Sequence, residues 1–130
     1  MKKIVITFGT FDLLHVGHVR LLTRAKQLGD ILYVGVSSDL LNFEKINKYP
    51  EFPQAERMEI ISMLKCVDGV FLEESLEKKS QYIAQKEASL LVMGDDWLGK
   101  FDDLSHTCEV IYLPRTPSIS TTAIIEKVRG

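Results

Sequence analysis

Two histidines near the amino terminus have the type and spacing of a phosphate-binding site. His15 and His18 lie three residues apart in the segment GTFDLLHVGH, so both imidazoles fall on one face at the start of a predicted helix. Gly17 between them carries no side chain and lets a bulky ligand approach the backbone. Because the free N–H groups and the dipole of a helix N-terminus already favour anions, two imidazole donors there predict a cradle for a polyphosphate.

Two other interpretations of the histidine pair stay open at the level of sequence. The imidazoles could be buried structural groups, or they could bind zinc. A zinc site needs further ligands, and the candidates Asp12, Cys66 and His106 show no ligand spacing. His106 is interpreted as a surface histidine. Cys66 and Cys108 form no CxxC pair and lie in apolar surroundings, which favours two buried reduced thiols.

A second group of polar residues lies near the carboxyl terminus, in the segment RTPSISTT. Arg115 can donate two parallel hydrogen bonds to phosphate oxygens, and four hydroxyl-bearing residues besides Thr116 follow it. Ser120 is the expected N-cap of a final helix that begins near Thr121. Capping accounts for one hydroxyl and leaves the arginine unexplained, so this segment also predicts phosphate binding.

Two further segments carry weaker signals. Asp95 and Asp96 follow a buried strand in the segment GDDW, where they could cap a short helix, or one of them could face a nucleotide or orient a metal. Lys45 and Lys48 lie in the least regular part of the chain, residues 37–53, and would ordinarily be surface lysines. Opposite a phosphate site, they could close over a triphosphate.

Alternating apolar runs and amphipathic stretches predict the elements that must position these residues. Strands are expected at residues 4–8, 31–36, 67–72, 90–93 and 110–113, and helices at about 15–28, 54–64, 76–86 and from 121 onward. This alternation predicts a doubly wound, Rossmann-like α/β fold: a parallel five-stranded sheet with helices on both faces, in one domain over residues 1–130.

The predicted sheet indicates where the polar segments meet. In an open parallel sheet, ligands bind beyond the carboxyl ends of the strands, at the point where the strand order reverses. Residues 9–18, 94–100 and 115–122 each follow a predicted strand. If the first, fourth and fifth strands are neighbours, these three loops line one crevice.

Composition and charge exclude several classes of function. The chain has 130 residues, of which 45% are apolar and 26% charged, as is ordinary for a globular domain. A net charge of -2 provides no field that would attract nucleic acid or an anionic membrane. The apolar run after Lys2 and Lys3 is too short for a signal peptide or a membrane span, which favours the cytoplasm.

The motifs together resemble the cytidylyltransferase family, particularly its small bacterial members. HVGH at 15–18 is similar to the HxGH signature of that family, and RTPSISTT at 115–122 to its RTxxISTT signature. GDDW at 94–97, with GKF after it, also resembles these members. HxGH alone is shared with adenylyltransferases and class I aminoacyl-tRNA synthetases, whereas both signatures at this spacing are specific. The chain departs from the pattern at Pro117-Ser118, and residues 42–53 match weakly.

The resemblance implies a reaction and a set of residues. The expected reaction transfers CMP from CTP to a small phosphorylated acceptor with release of pyrophosphate, assisted by Mg²⁺ held mainly by the triphosphate. The implied acceptor is sn-glycerol 3-phosphate, giving CDP-glycerol, and the implied assembly is a homodimer. The implied nucleotide-binding residues are Gly9, Thr10, Phe11, His15, His18, Lys48, Asp96, Arg115, Thr116, Ile119, Ser120 and Thr121. The implied catalytic residues are His15, His18, Arg115 and Lys45, with Asp12 and Lys45 near the acceptor.

Three alternatives to this function remain at the level of sequence. The same chemistry could act on another small phosphorylated metabolite, for capsule or cell-wall polymers. The protein could be an adenylyltransferase, although the RTxxISTT form and the GDDW segment argue against it. A nucleotide-binding sensor without turnover is the third alternative.

Overall fold

The computed structural model describes residues 1–114. The strands are β1 (Ile4–Gly9), β2 (Ile31–Ser37), β3 (Gly69–Glu73), β4 (Leu90–Gly94) and β5 (Glu109–Leu113). The α-helices are α1 (Val16–Gln27), α2 (Asp39–Ile46), α3 (Gln54–Ser62) and α4 (Lys79–Gln85). Short 3₁₀ helices cover Leu76–Lys78, Asp95–Trp97 and Asp102–His106. The predicted final helix near residue 121 lies outside the described residues.

The five strands form one parallel sheet in the order β3-β2-β1-β4-β5. From β1 the chain moves outward to β2 and β3, and β4 then returns to the other side of β1, so the strand order reverses between β1 and β4. The register of β1 with β2 runs from Ile4↔Ile31 to Gly9↔Val36, whereas β1 and β4 share only Val5↔Leu90 and Ile6↔Leu91. The expected adjacency of the first, fourth and fifth strands is confirmed.

Alternating strand residues supply two cores, one on each face of the sheet. One core contains Val5, Leu90 and Val92 and packs against Leu22 of α1 and Ile61 of α3. The other contains residues 6, 8, 91 and 93 and packs against residue 83 of α4. Helices therefore cover both faces, which confirms the doubly wound, Rossmann-like prediction.

The prediction of an irregular segment over residues 37–53 is wrong, because α2 lies within it. The Ser38 hydroxyl caps this helix by accepting a hydrogen bond from the Leu41 N–H at 3.0 Å. Asn47 ends it in the left-handed conformation, at φ 54°. The helix is short and leaves both Leu40 and Ile46 61% exposed, so its apolar residues do not form one buried stripe. The bounds of the other elements predicted within residues 1–114 differ from the structure by a few residues.

No helix within residues 1–114 is both long enough and apolar enough to cross a bilayer.

Candidate active site

A cavity of about 410 Å³ lies at the carboxyl edge of the sheet, over the point where the strand order reverses. The ends of three neighbouring strands border it, through Gly9 of β1, Gly94 of β4 and Leu113 of β5. It brings together the predicted site residues Gly9, Thr10, Phe11, Asp12, His15, His18, Lys45, Lys48 and Asp96. The remaining predicted residues, Arg115, Thr116, Ile119, Ser120 and Thr121, lie outside the described residues.

The two histidines themselves form the N-terminal cap of α1. His15 is the N-cap residue, and its Nδ1 accepts a hydrogen bond from the Gly17 N–H at 3.0 Å. In return, Nδ1 of His18 accepts one from the His15 N–H at 3.2 Å. The pair thus forms a capping box in which imidazoles replace the usual hydroxyl and carboxylate. The rings are stacked, with centroids 3.9 Å apart.

This arrangement determines where each imidazole carries its proton. A nitrogen that accepts a hydrogen bond has a free lone pair, so a neutral imidazole with an accepting Nδ1 is protonated at Nε2. Both rings therefore offer Nε2–H as a donor. The Nε2 atom of His15 is buried and has no hydrogen-bond partner among residues 1–114. A ligand oxygen at the N-terminus of α1 would satisfy this donor.

Burial lowers the pKa of both imidazoles and so favours their neutral forms. Burial lowers the pKa of His15. The pKa of His18 falls to about 4, because burial opposes the charged form and His15 lies against it, while Asp12 acts in the opposite direction. The His18 ring also packs edge-on against Phe11, with centroids 5.6 Å apart.

Acidification is expected to destabilise the protein through His18. Its pKa of about 4 in the folded state lies below the ordinary 6.5, so the unfolded chain binds more protons between these values. The contribution of His18 to stability is therefore complete above pH 6.5 and is lost as the pH falls towards 4. Urea unfolding between pH 4 and pH 7.5 should show a smaller pH dependence for His18→Gln than for the wild type. Equal pH dependences would contradict the shifted pKa.

The loop between β1 and α1 has little conformational freedom. Phe11 adopts φ 53° and Leu13 φ 49°, both in the left-handed region, and Phe11 is only 6% exposed. A Cβ at Gly9 would lie 2.9 Å from the Phe11 ring, so any larger residue there would displace it. The requirement for glycine follows from this close approach.

A chain of hydrogen bonds joins this loop to the segment that carries the two predicted lysines. The Thr10 hydroxyl donates to Oδ1 of Asn42 at 2.8 Å, and Nδ2 of Asn42 donates to the Lys48 carbonyl at 2.9 Å. Asp12 makes a second connection, because its carboxylate accepts from the backbone N–H groups of Glu51 and Phe52 at 2.7 and 3.0 Å. The position of Lys48 at the cavity is thereby tied to the loop that precedes the histidines.

A buried arginine also connects these segments. Arg57 of α3 is fully buried and donates to the carbonyls of Thr10, Ser37 and Phe52 at 2.8, 2.8 and 2.9 Å. Its Nη2 pairs with Oδ1 of Asp39 at 2.6 Å. One planar guanidinium thus holds the ends of β1 and β2 and the loop before α3 in one arrangement.

Lys45, in the last turn of α2, belongs to a second polar cluster. Its Nζ donates to the Ser37 hydroxyl at 2.9 Å, and Ser37 lies 3.4 Å from Oε1 of Glu73. Lys79 completes the cluster by pairing with the other carboxylate oxygen of Glu73. Burial lowers the pKa of Lys45, and its neighbour Glu73 partly opposes this shift. Sequence reasoning missed Asn42, Arg57, Ser37, Glu73 and Lys79.

The segment after β4 brings one of its two neighbouring aspartates to the cavity. Asp96 lines the cavity, and Asp95 is not among the lining residues. Neither caps the helix Asp102–His106, which begins without a side-chain cap. The Tyr112 hydroxyl fixes this segment by accepting from the Phe101 N–H and donating to Asp102, both at 2.9 Å.

The part of the chain that the structure describes contains no set of ligands for the zinc site considered above. No three His, Cys, Asp or Glu residues within 1–114 are grouped so that they could hold a metal ion. Mg²⁺ makes a smaller demand on the protein, because it keeps several waters and uses one or two carboxylates together with substrate phosphates. The carboxylates of Asp12 and Asp96 on the cavity lining fit this smaller demand.

Comparison with known proteins assigns the chain to a family. The model of the family described as cytidylyltransferase-like matches residues 6–127. The chain belongs to this family. Glycerol-3-phosphate cytidylyltransferase of Bacillus subtilis (strain 168) is 52% identical over 130 residues, which cover 100% of this chain and 99% of that protein. The protein of the same name from Staphylococcus aureus (strain NCTC 8325 / PS 47) is 44% identical over 131 residues, covering 100% and 97%.

A solved structure shows the same fold. The lipopolysaccharide core biosynthesis protein from Thermoplasma volcanium GSS1 superposes with a TM-score of 0.76 at 26% identity, covering 89% of this chain and 99% of that one. In this cytidylyltransferase-like chain, the described cavity combines a helix N-terminus, two imidazole donors and the basic side chains of Lys45 and Lys48, beside the Lys79–Glu73 ion pair. Such a cavity can bind and neutralise several phosphate groups at once.

Proposed function

We propose that this protein transfers CMP from CTP to sn-glycerol 3-phosphate, forming CDP-glycerol and releasing pyrophosphate. The observation that carries the proposal is the pair of imidazoles that cap α1 and offer Nε2–H donors at the cavity. The names of the relatives at 52% and 44% identity support the choice of nucleotide and acceptor.

The reaction requires no separate nucleophile on the protein. The acceptor phosphate has a second pKa of about 6 and is largely dianionic at neutral pH. One of its oxygens attacks the α-phosphorus of CTP and forms a new P–O bond. The bond from the α-phosphorus to the oxygen that bridges to the β-phosphate breaks, and pyrophosphate departs with the electron pair. Positioning and charge neutralisation therefore dominate catalysis.

The residues of the cavity have different roles in positioning the substrates and neutralising their charge. His15 and His18 donate through Nε2 to the phosphate oxygens on which charge accumulates as pyrophosphate departs. Lys45 and Lys48 neutralise the acceptor phosphate and the triphosphate. The backbone of residues 9–11 borders the nucleotide, and Asp96 faces the cytidine.

Further roles are proposed for residues outside the described part of the chain. Arg115 holds phosphate oxygens with its planar guanidinium, and Ser120 and Thr121 bind the β- and γ-phosphates. Thr116 and Ile119 complete the nucleotide site. Their place in the sequence, directly after β5 at the cavity edge, supports this assignment.

We also propose that the reaction uses Mg²⁺, held chiefly by phosphate oxygens, with Asp12 near it or near the acceptor. When bound, the ion supplies additional neutralisation of the triphosphate. The whole chain acts as one catalytic domain, in the cytoplasm, where nucleoside triphosphates are available. A homodimer is part of the proposal, and it is supported by apolar side chains on the outer side of α3 and just after it, where Ile60 is 37% and Met63 79% exposed.

The test is release of pyrophosphate with Mg²⁺ and CTP across a panel of acceptors headed by sn-glycerol 3-phosphate. We expect release that depends on both CTP and glycerol 3-phosphate, with ATP inactive as the matched nucleotide control. Turnover with another phosphorylated acceptor would retain the chemistry and change the acceptor. Turnover with ATP alone would indicate an adenylyltransferase, and CTP binding without any release would indicate a sensor.

A further inference from the structure

Arg24 is a cavity-lining cation to which the proposed reaction gives no role. It lies in the last turn of α1, and His15, His18 and Leu21 precede it at three-residue steps, so the four share one face of the helix. All four border the cavity. Because long side chains of a helix point back towards its N-terminus, the guanidinium of Arg24 is directed towards the site that the histidines form.

The guanidinium of Arg24 binds the backbone at the point where the chain leaves the sheet. Its Nη1 donates to the Pro114 carbonyl at 2.9 Å, although the two residues are 90 positions apart in the sequence. Pro114 directly follows Leu113, the last residue of β5, and both border the cavity. The proline ring fixes φ of residue 114, and the hydrogen bond to its carbonyl restrains ψ. Together they determine the direction in which the chain leaves β5.

Stabilisation of α1 alone does not explain this contact. A cation in the last turn of a helix interacts favourably with the helix dipole and can bind the last carbonyl groups. Lys26, in the same turn, has such a local role, because its ammonium donates to the Asp30 carbonyl just after α1 and pairs with Asp68. Arg24 instead donates to a carbonyl beyond β5, and its side chain makes no other hydrogen bond or ion pair among residues 1–114. Its contact therefore serves the cavity edge.

We propose that Arg24 is a positioning residue for Arg115, the residue that follows Pro114. This inference rests on the proposed function, in which Arg115 holds phosphate oxygens of CTP. The Pro114 carbonyl belongs to the planar peptide group that also contains the N–H and Cα of residue 115, so a hydrogen bond to this carbonyl orients the first atoms of that residue. A binding residue that is oriented in advance loses less conformational freedom when its ligand binds. Arg24 thereby raises the affinity for CTP without contacting it.

The test is calorimetric titration of the full chain with CTP and Mg²⁺ in the absence of any acceptor, so that it measures binding without turnover. For Arg24→Met, we expect the Kd for CTP to be about 3- to 10-fold higher than for the wild type, the effect of losing one hydrogen bond. Arg24→Lys should recover most of the affinity, because one ammonium N–H suffices for one carbonyl, whereas it could not replace a planar contact with phosphate. Arg20→Met makes the same change at an exposed position of α1 and should bind CTP as the wild type does.

A double-mutant cycle with Arg115 separates positioning from a general loss of stability. In the Arg115→Met background, Arg24→Met should change the Kd for CTP by less than about 2-fold, because the residue that it positions has been removed. Equal effects in both backgrounds, or a Kd for Arg24→Met no different from that of Arg20→Met, would overturn the inference. CTP binding by the wild type without pyrophosphate release on any acceptor would overturn the proposed reaction alone, and a wild type that binds no CTP would overturn both.

Discussion

Replacing His18 by glutamine is expected to lower kcat by roughly 100- to 1000-fold, the effect of removing one preorganised donor to a developing charge. Folding should be nearly unaffected, because glutamine is a favoured residue at the third position of a capping box and can accept the His15 N–H bond that Nδ1 accepts now. The substitution therefore removes the Nε2–H donor and keeps the cap. His15→Asn has the same design, since asparagine is a strong N-cap.

These two variants are measured by pyrophosphate release and by urea unfolding of the same preparations. The expected unfolding free energies lie within about 1 kcal/mol of the wild type, the typical contribution of a cap. The control is His106→Gln, which makes the same histidine-to-glutamine change at an exposed position away from the helix cap. Near-normal turnover of both His18→Gln and His15→Asn would show that the imidazoles only cap the helix and take no part in the reaction.

Replacing Arg57 by methionine is expected to lower the free energy of unfolding by about 3–5 kcal/mol, because a buried carbonyl left without its donor costs about 1–3 kcal/mol. The substitution removes the Arg57 donors of three carbonyl groups, those of Thr10, Ser37 and Phe52. The ion pair with Asp39 contributes a smaller share, because the Asp39 side chain is 33% exposed.

Urea unfolding checks this loss, with Arg20→Met at an exposed position of α1 as the control, expected within about 0.5 kcal/mol of the wild type. Arg57→Lys should still destabilise the protein, because a single ammonium cannot reproduce a planar set of bonds to several carbonyls. A loss below about 1 kcal/mol for Arg57→Met would contradict the central role assigned to these hydrogen bonds.

The sequence predicted the sheet and one side of the site because their signals are local. Apolar runs specify the five strands, and alternation with helices restricts their order. Gly9, His15 and His18 occur in one short segment, and any parallel sheet places that segment at the carboxyl edge of β1. The spacing of the histidines predicted phosphate binding but not their capping of α1. The capping role of Nδ1 depends on the orientation of the rings, which the distance along the sequence does not specify.

The missed residues depend on contacts between distant parts of the chain. Arg57 is on the buried side of a helix with weak amphipathicity, and its partners lie 47 residues away at Thr10 and 20 residues away at Ser37. Glu73 and Lys79 have ordinary surface residue types, and only the fold buries them. One sequence signal was nevertheless present, because Glu73 ends a parallel strand at the edge where ligands bind.

The central position of β1 affects the chain while it is being synthesised. β2 follows β1 closely and can pair with it early, but Leu90, which pairs with Val5 on the other side, follows Leu32 by roughly 60 residues. At 5–20 residues per second, this interval lasts about 3–12 s. Throughout it, one edge of the most central strand has unpaired N–H and C=O groups, a template for pairing with other chains. An aggregation-prone edge therefore exists on the ribosome and disappears once β4 has been added.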